Sequence, residues 1–170
     1  MSDIKIRQSG IIELETDAIV NAANENLTSG GGVCGAIFRA AGDKLKEACA
    51  EIGGCATGDA VVTPGFDLSV KYIIHAVGPV WRGGDHDEAR YLYSAYEKSL
   101  EIAKEKDCHS IGFPLISTGI FGYPKKLAWR KAIQACNDFM RKNPDYEIEI
   151  IFAIIDTGTM QIGWQTLMEH

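Results

Sequence analysis

Apolar positions along the chain follow two alternating rhythms. Short runs rich in Val, Ile and aromatic residues predict strands over residues 4–8, 18–22, 59–63, 72–77, 110–116 and 148–155. Between them, apolar residues return every three or four positions, which predicts helices over 35–41, 44–52, 88–106, 126–142 and 160–169. Tyr93, Tyr96, Leu100 and Ala103 mark one such stripe. Strand and helix stretches alternate from end to end, the pattern of the α/β class, in which helices cover both faces of a parallel or mixed sheet. No repeat or low-complexity linker interrupts the 170 residues, so one domain over 1–170 is expected.

Composition narrows the function. Apolar residues make up 46% and charged residues 24%, the proportions of an ordinary globular chain. A net charge of −6 argues against nucleic-acid binding, which needs clustered Lys and Arg to displace counterions. An anionic ligand must then be held locally, by backbone amides at helix starts. No apolar run approaches the roughly 20 residues that cross a bilayer, and the amino terminus lacks a signal-peptide pattern. A cytoplasmic protein without membrane partners is expected. The five cysteines (Cys34, Cys49, Cys55, Cys108 and Cys136) contain no Cys-x-x-Cys pair and read as reduced thiols.

Glycine concentrates in two segments, 24–35 and 117–122, each between a predicted strand and a predicted helix. Ligands of open α/β sheets bind at such connections. Gly30, Gly31, Gly32, Val33, Cys34 and Gly35 satisfy Gly-x-Gly-x-x-Gly and lead into Ala36-Ile37-Phe38. Glycines let backbone approach a phosphate, and the free amides and dipole of the following helix favour negative charge. A dinucleotide-dehydrogenase fingerprint does not fit. Residues 21–29 separate the strand from the glycines, and Glu51, at the acidic spacing, falls in a helical stretch.

The run Ile19-Val20-Asn21-Ala22-Ala23-Asn24, with Gly30-Gly31-Gly32-Val33 and Ala36-Ile37 after it, resembles the macrodomain family signature. Gly58-Asp59-Ala60-Val61-Val62-Thr63-Pro64-Gly65-Phe66 and Tyr72-Ile73-Ile74-His75-Ala76-Val77-Gly78-Pro79 resemble the middle of bacterial MacroD-type members. Ser117-Thr118-Gly119-Ile120-Phe121-Gly122-Tyr123-Pro124 resembles the family's second phosphate loop. The resemblance implies a three-layer α/β/α sandwich with a central mixed sheet, and a cleft for ADP-ribose across its strand ends. It implies that Asn24 bonds the distal ribose and that Phe121 packs beside it. Gly30 to Val33 and Ser117 to Gly122 would give amides to the phosphates, with Ile11, Ala22 and Ala23 also at the ligand. ADP-ribosylated proteins are the implied macromolecular partners, and neither a cofactor nor a metal is implied.

Two departures stand out. Hydrolases of this type carry an Asp after the glycine run that orients or activates water; here that residue is Cys34, and Phe38 stands where His is common. The family's Gly-Asp-Ile-Thr aligns with Ser9-Gly10-Ile11-Ile12, so Gly10 offers no carboxylate to adenine. Asp156 is a candidate substitute, or else the cap of the last helix. Cys34, at a helix start, reads either as a nucleophile or weak base alongside Asn24, or as a small apolar lining residue. His75 reads as a hydrogen-bonded core residue, and Asp85-His86-Asp87-Glu88 as the acidic first turn of a helix rather than a metal cluster. Asp17 serves either a turn or a ligand. Three functions remain: a recognition module for ADP-ribose or a derivative, a hydrolase of ADP-ribosyl or O-acyl-ADP-ribose linkages, and a sensor of another nucleotide signal.

Overall fold

In the computed structural model, which describes residues 2–170, one six-stranded sheet runs in the order β1-β6-β5-β2-β4-β3. The strands are β1 (Asp3–Gln8), β2 (Ala18–Ala22), β3 (Ala60–Pro64), β4 (Tyr72–Ala76), β5 (Ser110–Phe113) and β6 (Glu149–Ile154). Only β3 runs antiparallel, pairing with β4. The helices are α1 (Gly32–Ala41), α2 (Asp43–Ile52), α3 (Glu88–Glu105), α4 (Lys125–Lys142) and α5 (Thr157–Met168), with a 3-10 turn at Ile11–Glu13.

Alternate residues of each central strand enter different cores, because successive side chains of a strand point to opposite faces. On β6, Ile150, Phe152 and Ile154 join the core beneath α3, α4 and α5, while Ile151 and Ala153 join the core beneath α1 and α2. Both faces of the inner strands are therefore apolar, and the layers number three: helices, sheet, helices. Trp129 of α4 is fully buried against Phe152, with ring centroids 5.0 Å apart, and its indole N–H donates to the Thr159 carbonyl. Gly163 of α5 leaves the room this ring needs, since a Cβ there would lie 2.6 Å from it.

Strand contents agree with the expected pattern, and the differences lie at ends. α1 begins at Gly32 rather than residue 35, so the third glycine of the run already belongs to the helix. β5 stops at Phe113, although residues 114–116 are apolar and buried, because pairing there has ended. α5 starts three residues earlier than its apolar spacing indicates, where Asp156 accepts the Thr159 amide at 2.8 Å.

Candidate functional site

The parallel strands all end on one side of the sheet, and there β2 and β5 part. β2 pairs with β4 along its whole length, through Ala22, but with β5 only at Ala18 and Ile19. Past this point the chain leaves β2 toward α1 on one face and leaves β5 toward α4 on the other. Such a reversal opens a crevice at the carboxyl ends of the strands. A cleft of about 540 Å³ occupies it.

The first glycine segment forms one wall. Leu27 turns the chain at φ +57°, and its amide bonds the Asn24 carbonyl at 3.0 Å. The Asn24 side chain then locks the segment to Thr28. Its Oδ1 accepts from the Thr28 amide at 3.1 Å and from the Thr28 hydroxyl at 3.3 Å, while Nδ2 donates to the Thr28 carbonyl at 2.8 Å. Cys34, 6% exposed, lies with Sγ 3.6 Å from that same carbonyl, the position of a thiol donor. Gly35 is required by space, since a Cβ there would sit 2.5 Å from the Gly30 carbonyl oxygen. By contrast, a Cβ on Gly31 or Gly32 would meet nothing within 4 Å. The first-turn amides of α1 have no partner within the helix, as at any helix start.

The second segment forms the opposite wall and closes on itself. The Tyr123 amide donates to the Ser117 carbonyl at 2.8 Å and the Gly122 amide to the Gly119 carbonyl at 3.0 Å. The amides of Gly119, Ile120 and Phe121 find no acceptor among the described residues. Gly119 borders open space. A neighbouring loop braces this wall: the Trp81 amide donates to the Phe121 carbonyl at 2.8 Å, and the Trp81 and Tyr123 rings lie 4.8 Å apart. Glu88 in turn shapes that loop. It stands in the first turn of α3 and is 1% exposed, its carboxylate accepting the amides of Arg82, Gly84 and His86 at 2.8, 2.9 and 2.6 Å. Burial raises its pKa, the amide bonds lower it more, and it settles at about 2.

Nearly all the residues singled out from the sequence line this cleft: Ile11, Ala22, Ala23, Asn24, the run from Gly30 to Cys34, the run from Ser117 to Phe121, and Asp156. Gly122 does not. It stands behind the wall at φ +72°, a turn position rather than a lining one. Asp156, the one charged residue of the lining, caps α5 through one of its two carboxylate oxygens, and its side chain is exposed. Its Oδ2 accepts the Thr159 hydroxyl at 2.6 Å and amide at 2.8 Å and lies 3.6 Å from Lys125, and these bonds hold its pKa below the usual value. Sequence reasoning missed the floor, residues 114–116 and 153–155, and Gly78, Ser9 and Thr159. The rule that ligands meet strand ends points to the floor; nothing local marks Ser9 or Thr159.

His75 lies apart from the cleft, fully buried, between Asn21 and Thr63. Asn21 Nδ2 faces Nδ1 at 3.1 Å, so Nδ1 is the acceptor and the ring proton sits on Nε2, 3.0 Å from the Thr63 hydroxyl. Asp17 has a structural place at the amino ends of the inner strands, away from the cleft, accepting the His109 amide at 2.8 Å. Among the described residues no group of three or more His, Cys, Asp or Glu could hold a metal.

Fold and cleft together define an open α/β domain whose strand-end crevice is walled by two glycine segments, with no Lys or Arg in its lining. The chain belongs to the Macro domain family, whose model matches residues 20–132. It is 51% identical to a macro domain-containing protein of Chlorobaculum tepidum, over 94% of this chain and 92% of that one. It is 46% identical to the O-acetyl-ADP-ribose deacetylase of Salmonella gallinarum, over 99% and 96% of the two chains. A macrodomain of Oceanobacillus iheyensis solved with ADP superposes with a TM-score of 0.91 at 36% identity, covering 96% of this chain and 89% of that one. A variant of that macrodomain has been solved with ADPR, with the same score and identity.

Proposed function

We propose that this protein binds ADP-ribose or a close derivative, its diphosphate held between the first turn of α1 and the 117–121 wall. The observation that carries the reading is a crevice rich in unpaired amides and lacking any cationic side chain. Such a site selects an anion through oriented N–H groups and the helix dipole, which a chain of net charge −6 requires. Asn24 meets the distal ribose through the second Nδ2 hydrogen, and Phe121 packs beside it. ADP-ribosylated proteins are the proposed partners, entering with their ADP-ribose in the cleft. Five free thiols and the absence, among the described residues, of a helix able to span a membrane go with a cytoplasmic location.

The test is calorimetric titration with ADP-ribose alongside thermal melting. A ligand that binds only the native state adds about 2.7 kcal/mol at a hundredfold excess over its Kd, so the melting temperature should rise. Absence of both heat and shift would falsify the reading.

A second reading, hydrolysis of an O-acyl or ADP-ribosyl ester, is favoured by the likeness to the Salmonella O-acetyl-ADP-ribose deacetylase. In this reading the diphosphate is held as above and the scissile ester lies near Asn24 and Cys34. No His or Glu lines the cleft, and its one carboxylate, Asp156, caps α5 through Oδ2.

A further inference from the structure

β1 lies at one edge of the sheet and pairs only with β6. In a parallel pair, alternate residues of a strand bond the neighbour. On β1 these are the odd-numbered ones: the Asp3 amide donates to the Ile148 carbonyl at 3.4 Å and the Ser9 amide to the Ile154 carbonyl at 3.2 Å, in register with the ladder between them. The amides and carbonyls of Ile4, Ile6 and Gln8 therefore point out of the sheet edge, where no described segment bonds them. Such an open row is a template for another strand, and a proline, a bulge or a covering element commonly blunts it. β1 has no proline, and its register with β6 is unbroken.

The side chains of β1 sort by face. Ile4 and Ile6 are half-buried against the core beneath α5, and a Cβ on Gly163 of that helix would lie 2.8 Å from Ile6 Cδ1. Next to Gly163, Trp164 is 46% exposed, and Met168, one turn further on, is 87% exposed. The helix over the edge strand thus carries apolar surface of its own. Asp3, Lys5 and Arg7 project from the other face and are exposed. Lys5 is paired with Glu149 at 2.7 Å, whereas Asp3 and Arg7 have no ion-pair partner among the described residues.

We propose that the β1 edge is a self-association surface whose partner is a second copy of this chain, added antiparallel about a twofold axis at Lys5. In this register Ile4 and Ile6 of one copy meet Ile6 and Ile4 of the other, and each pair exchanges both main-chain bonds. On the opposite face Asp3 stands across from Arg7 of the second copy, so the two unpaired charges complement each other. Lys5 opposite Lys5 is the one unfavourable pair, and each ammonium is held by its own Glu149. A slip of the register is worse in either direction. One sets Lys5 against Arg7 in both halves, and the other turns Ile6 against Ser2 and shortens the overlap. The sheets join into one, with both copies of α5 on the same face. Because the joined strands run oppositely, the two clefts open at opposite ends of the combined sheet and neither obstructs the other.

The experiment is analytical ultracentrifugation of wild type, Asp3→Arg, Arg7→Asp and Ile4→Pro over concentrations from about 1 to 500 µM, since small interfaces of this kind are weak. Wild type should show a concentration-dependent equilibrium of monomer and dimer. Each charge variant sets like charges across the edge and should weaken dimerisation about tenfold. An equimolar mixture of the two should restore it, because one variant is then positive and the other negative at both positions. Ile4→Pro removes an outward N–H that β6 does not use, so it should fold and remain monomeric. If it does not fold, the charge variants decide alone. A wild type that is monomeric throughout overturns the proposal, as does a dimer indifferent to every substitution. Dimerisation weakened in each charge variant but not recovered on mixing overturns the antiparallel register. Slow amide exchange at Ile4 and Ile6 in a monomeric wild type assigns the edge to a covering segment of the same chain instead.

Discussion

His75 is held neutral by its surroundings: burial without a counter-charge pushes its pKa down from 6.5 to about 4, while Asn21 and Thr63 bond the neutral ring. Below about pH 6.5 the unfolded chain takes up a proton that the folded chain refuses. Stability therefore falls as pH drops from about 6.5 to about 4 and levels off below that, with about 3 kcal/mol as the upper scale of the change. Melting measured across this window should show the slope, and His75→Gln should flatten it; an equal slope in the variant would assign it elsewhere. Glu88 loses its amide bonds only at lower pH, because its folded pKa lies near 2. Cys34 is the second residue with a sharp consequence. Its Sγ faces the Thr28 carbonyl, and the one carboxylate of the cleft lining is Asp156, whose Oδ2 caps α5. A positioned general base contributes about a hundredfold to ten-thousandfold in rate, so Cys34→Asp should raise single-turnover hydrolysis of ADP-ribosyl-glutamate at saturating ligand. Saturation matters, because a carboxylate near a diphosphate also weakens binding. Rapid turnover by the wild type, unaffected by Cys34→Ala, would instead mean that the substrate orients its own water.

Glycine acts differently at different points of the two walls, and substitutions separate these uses. Gly31 and Gly119 have ordinary backbone angles and face open space, so Gly31→Val or Gly119→Val should fold, keep the wild-type circular dichroism and lose ADP-ribose affinity by steric exclusion. Gly32 also faces open space but stands at φ +56°, so Gly32→Val adds backbone strain and should lower the melting temperature as well. Retained affinity in both Gly31→Val and Gly119→Val would move the ligand off these walls. The glycine run and its place before a helix are legible in the sequence, because spacing is a local property. Its division of labour is not. That Gly35 yields to the Gly30 carbonyl, and Gly78 to Ser117, depends on atoms brought close by the fold. The same holds for Glu88: its neighbours in sequence suggest an acidic helix start, and only the fold shows the bend of residues 82–86 wrapping three amides around it.

Across the whole molecule the two walls belong to different layers, one leading into α1 on one face of the sheet and the other into α4 on the opposite face. A ligand spanning them should slow hydrogen exchange at 31–34 and 118–121 together while leaving the β3 edge unchanged. Protection of one wall alone would limit the ligand to half the cleft. What the sequence by itself determined was the alternation of strands and helices, the two-faced burial of the inner strands and the two glycine segments. Each follows from residue spacing and backbone preference, which act over a few neighbours. Tertiary structure alone decided the strand order and the early parting of β2 from β5 that opens the cleft. These depend on contacts between residues far apart in the chain, and a hydrogen bond such as that from the Trp81 amide to the Phe121 carbonyl has no signature in either local stretch.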